Sequence, residues 1–369
     1  MRSHLPRRLL LGPGPSNVHP RVLRAMAQPL VGHLDPAFLD LLDDVQAALR
    51  RLFGTANALT LPLSATGSAG MEACLVNLLE PGDEVVVGVA GVFGERMSEV
   101  ARRAGARVTR VESEPGTPLD DDAMALAIAR VRPRVVAFVH AETSTGVRQP
   151  VEAIARAARE TDALVVLDCV TSLAGLPVSL DAWGVDAAYS ATQKCLSCPP
   201  GLSPVSFSER ALTRVRARKV PVQSWFLDVG LLAGYFGGDR VYHHTAPVSA
   251  ILGLAEGLRL VEEEGMEMRT ARHRSAAEQL IEGTRALGFQ PLVDEPYRLP
   301  MLTTLRLPEP VARLGEAALR RALLDRYGIE VGGGLGPLAG RIWRVGLMGE
   351  NARVINVEAL LFALRRELA

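Results

Sequence analysis

Lys194 is the residue whose type and position suggest chemistry most clearly. Of the 41 basic residues, lysine occurs only at 194 and 219, and all the others are arginine. Arginine stays protonated, whereas a lysine amine can deprotonate and form a Schiff base with a carbonyl compound. Lys219 lies in a basic run typical of a solvated surface. Lys194 instead follows an apolar run, in a turn that the residues 199–201 (Pro-Pro-Gly) close. The sequence therefore predicts a reactive amine at Lys194.

Two further segments carry groups that could act with this amine. The apolar run 164–168 reads as a strand that ends on the carboxylate of Asp168, one crossover connection before Lys194. The small residues 64–70 open a helix, where free N–H groups and the helix dipole can form a cup for a phosphate. Ligands bind at the carboxyl ends of the strands in an open α/β sheet, so we expect the three groups to meet there.

An amine, a carboxylate and a phosphate cup are what pyridoxal 5'-phosphate requires from a protein. Its aldehyde needs a lysine, its pyridine nitrogen needs a carboxylate, and its phosphate needs a helix N-terminus. Phe93 offers an aromatic ring to cover the cofactor ring. Each group alone has an ordinary alternative: a surface charge at Lys194, a turn residue at Asp168, a tight turn at 64–70 and a core residue at Phe93.

Motifs of one known family occur in the family's order along nearly the whole chain. The most specific are Tyr-His-His-Thr at 242–245 and the Gln-Lys loop that ends at Lys194. The supporting segments are 11–17, 80–83, 142–146, 167–172, 199–201, 332–336 and 344–349. On these motifs the chain resembles the class V aminotransferases of fold type I, and within them the alanine–glyoxylate and serine–pyruvate aminotransferases.

The resemblance implies pyridoxal 5'-phosphate as cofactor and a role for each matching residue around its ring. Lys194 would carry the Schiff base and act as general base, and Asp168 would pair with the pyridine nitrogen. Val170 would pack on one ring face. Phe93 would stack where close relatives often have Trp, and Thr143 would bind near the ring oxygen.

The resemblance also implies how the phosphate and the substrate are held. The residues expected around the phosphate within one subunit are Gly67, Ser68, Ala69 and Gln193. Tyr242 and Thr245 would reach the phosphate of the neighbouring subunit, which implies a homodimer with shared active sites. Arg344 would bind the substrate carboxylate, with Gly14 beside it.

The elements that must position these groups alternate between helix and strand from about residue 35 to 210. Asp35 and Pro36 read as an N-cap followed by proline at the first helical position. Short apolar strands are predicted over 84–89, 107–111, 135–140, 164–168 and 187–190, and helices over 67–79, 96–104 and 120–131. Such strands, apolar on both faces and separated by helices, indicate a mostly parallel sheet covered on both sides.

The texture of the sequence changes after Pro247. Helices are predicted near 247–264, 268–287, 316–327 and 353–367, and strands near 300–307 and 341–346. We therefore expect an α/β protein of fold type I, with a large mostly parallel α/β/α sheet domain and a smaller C-terminal α+β domain. The first dozen residues are expected to pack near the smaller domain. The expected division is an N-terminal segment 1–20, a large domain 21–255 and a small domain 256–369.

Composition excludes several classes of partner. The chain is 48% apolar and 22% charged, which is typical of a globular protein with a large core. The formal net charge is zero and there is no basic tract, so neither nucleic acid nor an anionic membrane is expected as a partner. The first 34 residues are Arg-rich and lack Asp and Glu, a weak transit-peptide signal, but Gly-Pro-Gly-Pro already begins at Gly12. The chain ends in Arg-Glu-Leu-Ala, unlike a peroxisomal signal, and we expect a cytoplasmic protein.

Metal and disulfide chemistry are not expected. The cysteines, too few for a disulfide framework, are Cys74, Cys169, Cys195 and Cys198. Cys195 and Cys198 form a C-x-x-C pair without a second pair to complete a zinc site, so ordinary packing is expected for them. His243 and His244 resemble metal ligands, but neighbours in a strand would point to opposite faces.

The expected activity is transfer of an amino group from alanine or serine to glyoxylate or pyruvate by a ping-pong mechanism. Alternatives on the same scaffold are serine–glyoxylate, ureidoglycine–glyoxylate or aminoethylphosphonate–pyruvate transaminase, and a lyase or desulfurase. A desulfurase would need a mobile loop cysteine far from Lys194, and no cysteine is so placed. A nicotinamide-dependent dehydrogenase is disfavoured because no strand is followed by G-x-G-x-x-G. A non-catalytic binding protein is disfavoured by the complete set of cofactor residues.

Overall fold

Strands and helices alternate through most of the chain, and the computed structural model describes residues 5–368. The strands are β1 (Leu9–Leu11), β2 (Leu59–Leu63), β3 (Glu84–Val89), β4 (Arg107–Glu112), β5 (Val135–Val139), β6 (Ala141–Glu142), β7 (Val147–Arg148), β8 (Leu164–Asp168), β9 (Ala187–Tyr189), β10 (Ser203–Phe207), β11 (Gln290–Pro291), β12 (Leu302–Arg306), β13 (Ile329–Gly333) and β14 (Ile342–Gly346). The helices are α1 (Pro20–Met26), α2 (Pro36–Phe53), α3 (Gly67–Leu78), α4 (Val92–Arg103), α5 (Asp121–Val131), α6 (Glu152–Glu160), α7 (Leu180–Trp183), α8 (Glu209–Arg216), α9 (Val229–Phe236), α10 (Val248–Glu264), α11 (Met266–Arg285), α12 (Glu309–Leu314), α13 (Glu316–Tyr327) and α14 (Val354–Leu368).

The larger sheet has the strand order β2-β10-β9-β8-β5-β3-β4 and is mostly parallel, as predicted. Only β10 runs antiparallel to its neighbours β9 and β2. Every residue of β2, β5, β8, β9 and β10 is buried, so helices cover both faces. The carboxyl ends of β2, β3, β5, β8 and β9 lead into the segments that were expected to hold a ligand.

The smaller sheet has the order β1-β13-β14-β12-β11. Its N-terminal strand β1 pairs in parallel with β13, so residues 9–11 pack with the C-terminal part of the chain as expected, while residues 1–4 lie outside the described residues. A second hydrophobic core lies between this sheet and helices α11, α13 and α14, around the buried ring of Trp343. The fold is thus α/β, with a large and a small sheet, and the division at 1–20, 21–255 and 256–369 stays a prediction.

Local signals placed several boundaries correctly. The side chain of Asp35 accepts a hydrogen bond from the N–H of Ala37 at 2.9 Å, and Pro36 is the first residue of α2. Both are the predicted capping features, and they act within one helical turn. None of the helices within residues 5–368 is long and apolar enough to span a lipid bilayer.

Helix α4 begins at Val92, four residues before the predicted range 96–104. Phe93 therefore lies in the first turn of a helix and not in the turn that precedes it. The cap comes from distant residues: Ser144 accepts a hydrogen bond from the Val92 N–H and Glu142 accepts one from the Phe93 N–H. A sequence pattern could not show this start, because the capping groups are about fifty residues away.

Strands β2 and β10 are absent from the prediction, and each contains a proline. Pro62 and Pro204 lie opposite each other in the antiparallel pair. Proline removes a backbone donor and usually argues against a strand. The two prolines face each other across the ladder, and the flanking apolar residues still complete the buried sheet.

The end of β8 and β9 opposite the expected ligand edge is held by the buried carboxylate of Asp186. Its oxygens accept hydrogen bonds from the Val165 N–H, the Ser208 hydroxyl and the Arg210 guanidinium at 2.9–3.0 Å. Arg210 also pairs with Asp162 at 2.9 Å. The two carboxylates differ in exposure, since 2% of the Asp186 side chain and 94% of the Asp162 side chain is exposed.

We predict that Asp186→Ala lowers the free energy of unfolding by about 3–5 kcal/mol, because Arg210 loses its buried partner and the buried Val165 N–H and the Ser208 hydroxyl lose their acceptor. Asp162→Ala removes the exposed partner of the same arginine and should cost at most about 1 kcal/mol. Denaturant unfolding of both variants measures the difference. Equal losses would contradict the assignment of Asp186 as the structural partner.

Candidate active site

Lys194 lies in the turn between β9 and β10, and its side chain is buried. Its amine donates a hydrogen bond to the carbonyl oxygen of Pro13. Burial lowers the pKa of Lys194 to about 8, while the negative charge of Asp168 acts in the opposite direction and Arg344 adds to the lowering. A substantial fraction of this amine is therefore uncharged near neutral pH, and an uncharged amine is a nucleophile. Lys219, the other lysine, is exposed as predicted.

The N-terminal segment fastens the turn that carries this lysine. Ser16 donates a backbone hydrogen bond to Gln193 O at 2.8 Å and a hydroxyl hydrogen bond to Lys194 O at 2.8 Å. Gly14 lies directly against the amine, with φ at +115°, and a Cβ atom there would come within 2.6 Å of Lys194 Nζ. Only glycine leaves room for the amine at this position.

Asp168 ends β8 and faces the same cavity as Lys194. Its Oδ2 accepts a hydrogen bond from the Tyr189 hydroxyl at 2.7 Å, and its Oδ1 accepts one from the Val170 N–H at 2.8 Å. Burial raises the pKa of Asp168 to about 6, and the two hydrogen bonds oppose this rise. The carboxylate form therefore predominates at neutral pH, and a cation placed next to it would stabilise that form further.

The N-terminus of α3 opens into this cavity. Thr66 is its N-cap residue but makes no side-chain hydrogen bond, so its side chain leaves the first N–H groups of the helix uncapped. Thr66, Gly67 and Ser68 all line the cavity. The side-chain oxygen of Gln193 is buried there without a hydrogen-bond partner among residues 5–368. A helix N-terminus is suited to a phosphate, and the NH2 group of the Gln193 amide is the part of that side chain that could donate to it.

Between the carboxylate and the helix N-terminus the cavity walls are suited to a flat ring. Phe93, Val170 and Thr143 line this part. The guanidinium carbon of Arg96 lies 5.1 Å from the centre of the Phe93 ring. The cavity thus offers an amine for an aldehyde, a carboxylate for a ring nitrogen, apolar walls for the ring and a cup for a phosphate. These residues fit pyridoxal 5'-phosphate.

Arg344 lies on β14, a buried strand, as predicted. Its Nε donates to Gly333 O at 2.8 Å and its Nη1 donates to Thr143 O at 3.3 Å. Burial lowers the pKa of Arg344, and the charge of Glu142 opposes that effect. The remaining N–H groups of the guanidinium can bind a carboxylate beside the cavity, because Thr143 is one of its lining residues.

Five of the predicted residues do not line this cavity, and two of them, Gly14 and Arg344, contact residues that do: Gly14 lies against Lys194 and Arg344 donates to Thr143. Ala69 is half-buried in α3, one residue beyond the lining residue Ser68. Tyr242 and Thr245 lie in the exposed segment before α10, and 59% of Tyr242 is exposed. Both remain candidates for contacts with a second subunit, because neither reaches the cavity of its own chain.

The expectation that His243 and His244 lie in a strand is wrong. They occupy an irregular segment between α9 and α10, and their Nδ1 atoms are 2.9 Å apart. Backbone outside a strand need not alternate side-chain direction, and the two rings contact each other edge to face with centroids 5.1 Å apart. No group of three or more His, Cys, Asp or Glu side chains within residues 5–368 could hold a metal ion. The cysteines are unpaired and buried.

Sequence reasoning did not assign roles to Tyr189, Arg96 and Glu142. Tyr189 pairs in register with Asp168 in the neighbouring parallel strand, so a polar ring at the end of β9 was the available signal. Arg96 is one helical turn after Phe93, a spacing that becomes visible once α4 is known to begin at Val92. The contacts of Glu142 cross from a hairpin to a helix and leave no local signal.

Comparisons with known proteins point in the same direction as the geometry. The family model described as aminotransferase class-V matches residues 9–338. The chain is 39% identical to the (S)-ureidoglycine–glyoxylate transaminase of Bacillus subtilis (strain 168), covering 98% of this chain and 91% of that protein. It is 41% identical to the alanine–glyoxylate aminotransferase of Oryctolagus cuniculus, covering 98% and 93%. The crystal structure of alanine–glyoxylate aminotransferase from Nostoc sp. shares 49% identity and a TM-score of 0.97, covering 99% of this chain and 96% of that one.

The lowered pKa of Lys194 leads to a prediction about its reactivity. Attachment of pyridoxal 5'-phosphate to the cofactor-free protein, trapped with borohydride at a series of pH values, should increase with a midpoint near pH 8, because the uncharged amine predominates above its pKa of about 8. Mass spectrometry measures the attachment. Lys219→Arg should leave the profile unchanged and Lys194→Arg should abolish it. A midpoint near 10.5, the ordinary lysine value, would contradict the burial effect.

Proposed function

The chain belongs to the class V aminotransferases, and we propose that it moves an amino group from a small amino acid to a small 2-oxo acid with pyridoxal 5'-phosphate as cofactor. The observation that carries the proposal is that three groups line one cavity: the amine of Lys194, the carboxylate of Asp168 and the uncapped N-terminus of α3. These are the groups that the cofactor's aldehyde, ring nitrogen and phosphate require.

The names of the relatives support glyoxylate as the acceptor. The relatives from Bacillus subtilis and Oryctolagus cuniculus are both named for glyoxylate and differ in the donor, ureidoglycine in one and alanine in the other. We therefore propose glyoxylate as the preferred acceptor, with pyruvate as the alternative, and alanine or serine as the donor. Ureidoglycine is the second candidate donor, because the relative named for it is 39% identical to this chain.

Different residues of the cavity would bind different parts of the cofactor. Lys194 would bind its aldehyde and Asp168 its ring nitrogen. Phe93 and Val170 would pack on the ring, and Thr143 would bind near the ring oxygen. The phosphate would be bound by Gly67, Ser68, Gln193 and the turn that continues to Ala69. When bound, the cofactor supplies an electron sink for the bonds at the substrate α-carbon.

The proton chemistry would fall to Lys194. In its uncharged form the Lys194 Nζ would take the proton from the α-carbon of the donor, and in its charged form it would give a proton to the α-carbon of the acceptor. Its lowered pKa suits this exchange, because both protonation states are populated near neutral pH. Asp168 remains a carboxylate throughout, since Tyr189 and the Val170 N–H donate hydrogen bonds to it.

Arg344 would bind the α-carboxylate of each substrate. Donor and acceptor both carry this group, so one arginine can serve both half-reactions of a ping-pong mechanism. The planar guanidinium makes two parallel charge-assisted hydrogen bonds to a carboxylate, which orient the α-carbon as well as hold it. Gly14, next to the amine, keeps the space between Lys194 and the substrate free of a side chain.

We infer that the active unit is a homodimer. Hydrophobic side chains are exposed around the segment that carries Tyr242 and Thr245, and the large ones are Trp225, Leu231, Val241 and Tyr242. Such a patch is a common sign of a protein interface. In this proposal Tyr242 and Thr245 complete the phosphate site of the partner subunit. We also propose that the enzyme works in the cytoplasm, a reducing compartment that suits its unpaired cysteines.

The proposed function is tested by single half-reactions. Alanine, serine and ureidoglycine are added separately to the cofactor-loaded protein, and the loss of visible absorbance reports amino-group transfer to the cofactor. Glyoxylate or pyruvate should then restore the absorbance. We expect the fastest conversion with alanine or serine. Fastest conversion with ureidoglycine would favour the second candidate, and no conversion with any donor would contradict the proposed function.

Two variants control this experiment. Lys194→Arg should abolish conversion and Lys219→Arg should leave it normal, although both keep the charge. Arg344 is tested separately. Arg344→Ala should lower kcat/KM for donors and acceptors together by about 10²-fold or more, and Arg344→Lys should recover only part of this loss, because an ammonium cannot replace the paired hydrogen bonds of a guanidinium. The cofactor content of both Arg344 variants should remain normal.

The shared active site predicts complementation between inactive subunits. Lys194→Ala and Tyr242→Ala should each be impaired alone, and mixed dimers should regain part of the activity. One site of such a dimer combines the intact Lys194 of one subunit with the intact Tyr242 of the partner subunit. Activity before and after denaturation and joint refolding measures this. Full activity of a verified monomer would contradict the shared site.

A further inference from the structure

Glu142 is fully buried at the end of β6, next to the active site, and the proposed function gives it no role. Its Oε1 accepts hydrogen bonds from the Ser144 N–H at 3.0 Å and the Ser144 hydroxyl at 2.6 Å. Its Oε2 accepts one from the Phe93 N–H at 3.2 Å. The Gly94 N–H also lowers the pKa of this carboxyl. Every one of these groups is a donor.

Ser144 and Glu142 together cap the N-terminus of helix α4. Ser144 accepts the Val92 N–H at 3.0 Å, while Glu142 accepts the N–H of the next residue, Phe93, at 3.2 Å. The hairpin β6–β7 approaches so closely that a Cβ atom on Gly91 would lie 2.3 Å from Ser144 Oγ and 2.7 Å from Glu142 Cδ. The hairpin thus supplies the cap that the sequence around Gly91 lacks, and this cap sets the position of Phe93.

A carboxylate is the form that satisfies this set of donors. Burial raises the pKa of Glu142, and the hydrogen bonds from Ser144 and Phe93 and the nearby Gly94 N–H act in the opposite direction. A protonated carboxyl could donate only to the Ser144 hydroxyl oxygen, which already accepts the Val92 N–H, whereas the N–H groups of Ser144 and Phe93 can only donate. The dipole of α4 also favours a negative charge at its N-terminus.

The charge of Glu142 also acts on two groups proposed to bind ligands. It raises the pKa of Asp168, on which Tyr189 and Lys194 act in the other direction. It also favours the charged form of Arg344, whose Nη1 donates to the carbonyl oxygen of Thr143, the next residue after Glu142. One buried carboxylate therefore acts on both.

The hairpin is held against the smaller sheet as well. Thr304 donates a hydrogen bond to the carbonyl oxygen of Thr145 at 2.8 Å, and Thr304 pairs with Arg344 in the register of β12 and β14. The hairpin therefore contacts α4 on one side and the strands that carry Arg344 on the other. A substitution at Glu142 can therefore affect both α4, which carries Phe93, and the strands next to Arg344.

We propose that Glu142 is a positioning residue that caps α4 and thereby holds Phe93 against the cofactor site. Its negative charge also acts on the ionisation of Asp168 and Arg344. The inference rests on the proposed function for its consequences, but the capping contact can be tested without cofactor or substrate. Glu142 touches neither ligand in this proposal and acts through Phe93, Asp168 and Arg344.

The first test is hydrogen exchange of the cofactor-free protein. Glu142→Ala removes both side-chain oxygens, so the Phe93 N–H loses its acceptor and the Gly94 N–H loses the nearby carboxylate, whereas the single oxygen of Glu142→Gln could still serve Phe93. We expect the exchange of the Phe93 amide to accelerate by about tenfold or more, the usual effect of losing a hydrogen bond to a charged group. Unchanged protection of this amide would overturn the proposal.

The second test is the pH dependence of cofactor affinity. Affinity should fall at low pH as Asp168 of the free protein becomes protonated, and this fall is called the acid limb. Removing the negative charge of Glu142 lowers the pKa of Asp168 from its value of about 6, so the limb should move to lower pH in Glu142→Gln. Ser144→Ala keeps the charge and removes the acceptor of the Val92 N–H. It should accelerate exchange of the Val92 amide and leave the acid limb in place.

Asp120→Asn is the matched control, since it replaces an exposed carboxylate that caps α5 by accepting the Ala123 N–H at 2.8 Å. It should change neither the α4 amides nor the acid limb. An equal shift of the limb in Ser144→Ala and Glu142→Gln would refute the charge effect. If the Glu142 variants do not fold, a protected Val92 amide in Ser144→Ala would still refute the capping. If the α4 amides exchange faster in the Glu142 variants but the unsubstituted protein shows no transaminase activity, the proposed function is refuted and the capping role of Glu142 still holds.

Discussion

The active site depends on one electrostatic constraint, which is that an amine and a carboxylate share a buried cavity. Burial lowers the pKa of Lys194 and raises that of Asp168, and the attraction between their charges acts against both shifts. Tyr189 and the Val170 N–H stabilise the carboxylate by hydrogen bonds. The result is a stable anion beside an amine that can lose its proton near neutral pH. A solvated surface could not provide this combination, because water would hold both groups near their ordinary pKa values.

The position of the Lys194 amine depends on residues from both the N-terminal segment and the C-terminal part of the chain. The turn that carries Lys194 is buried, and buried backbone groups must find hydrogen-bond partners. Ser16 binds the carbonyl of Lys194, while Arg269 of α11 donates to the carbonyls of Ala174 and Cys195. The N-terminal segment therefore passes between the two sheets, and its strand β1 completes the smaller one.

The same reasoning explains how the two sheets act on one cavity. The larger sheet contributes Lys194 and Asp168 at the carboxyl ends of its strands, and the smaller sheet contributes Arg344 from within β14. The hairpin β6–β7 lies between them, and Thr143 accepts the hydrogen bond from Arg344 while lining the cavity. The β6–β7 hairpin can thus set the distance between the groups proposed to bind the cofactor and Arg344, which is proposed to bind the substrate.

The sequence by itself determined which groups can carry the chemistry and most of the elements that hold them. A lysine in a chain nearly free of lysine, a carboxylate at a strand end and a small-residue helix start are local features, and so are the caps and apolar periods that bound most helices. Only the tertiary structure decided the start of α4, the pairing of the proline-containing strands β2 and β10, the conformation around His243 and His244, and the roles of Tyr189 and Glu142. Each of these depends on a hydrogen bond, a burial or a charge supplied by residues far away in the chain, and residue spacing carries no information about such contacts.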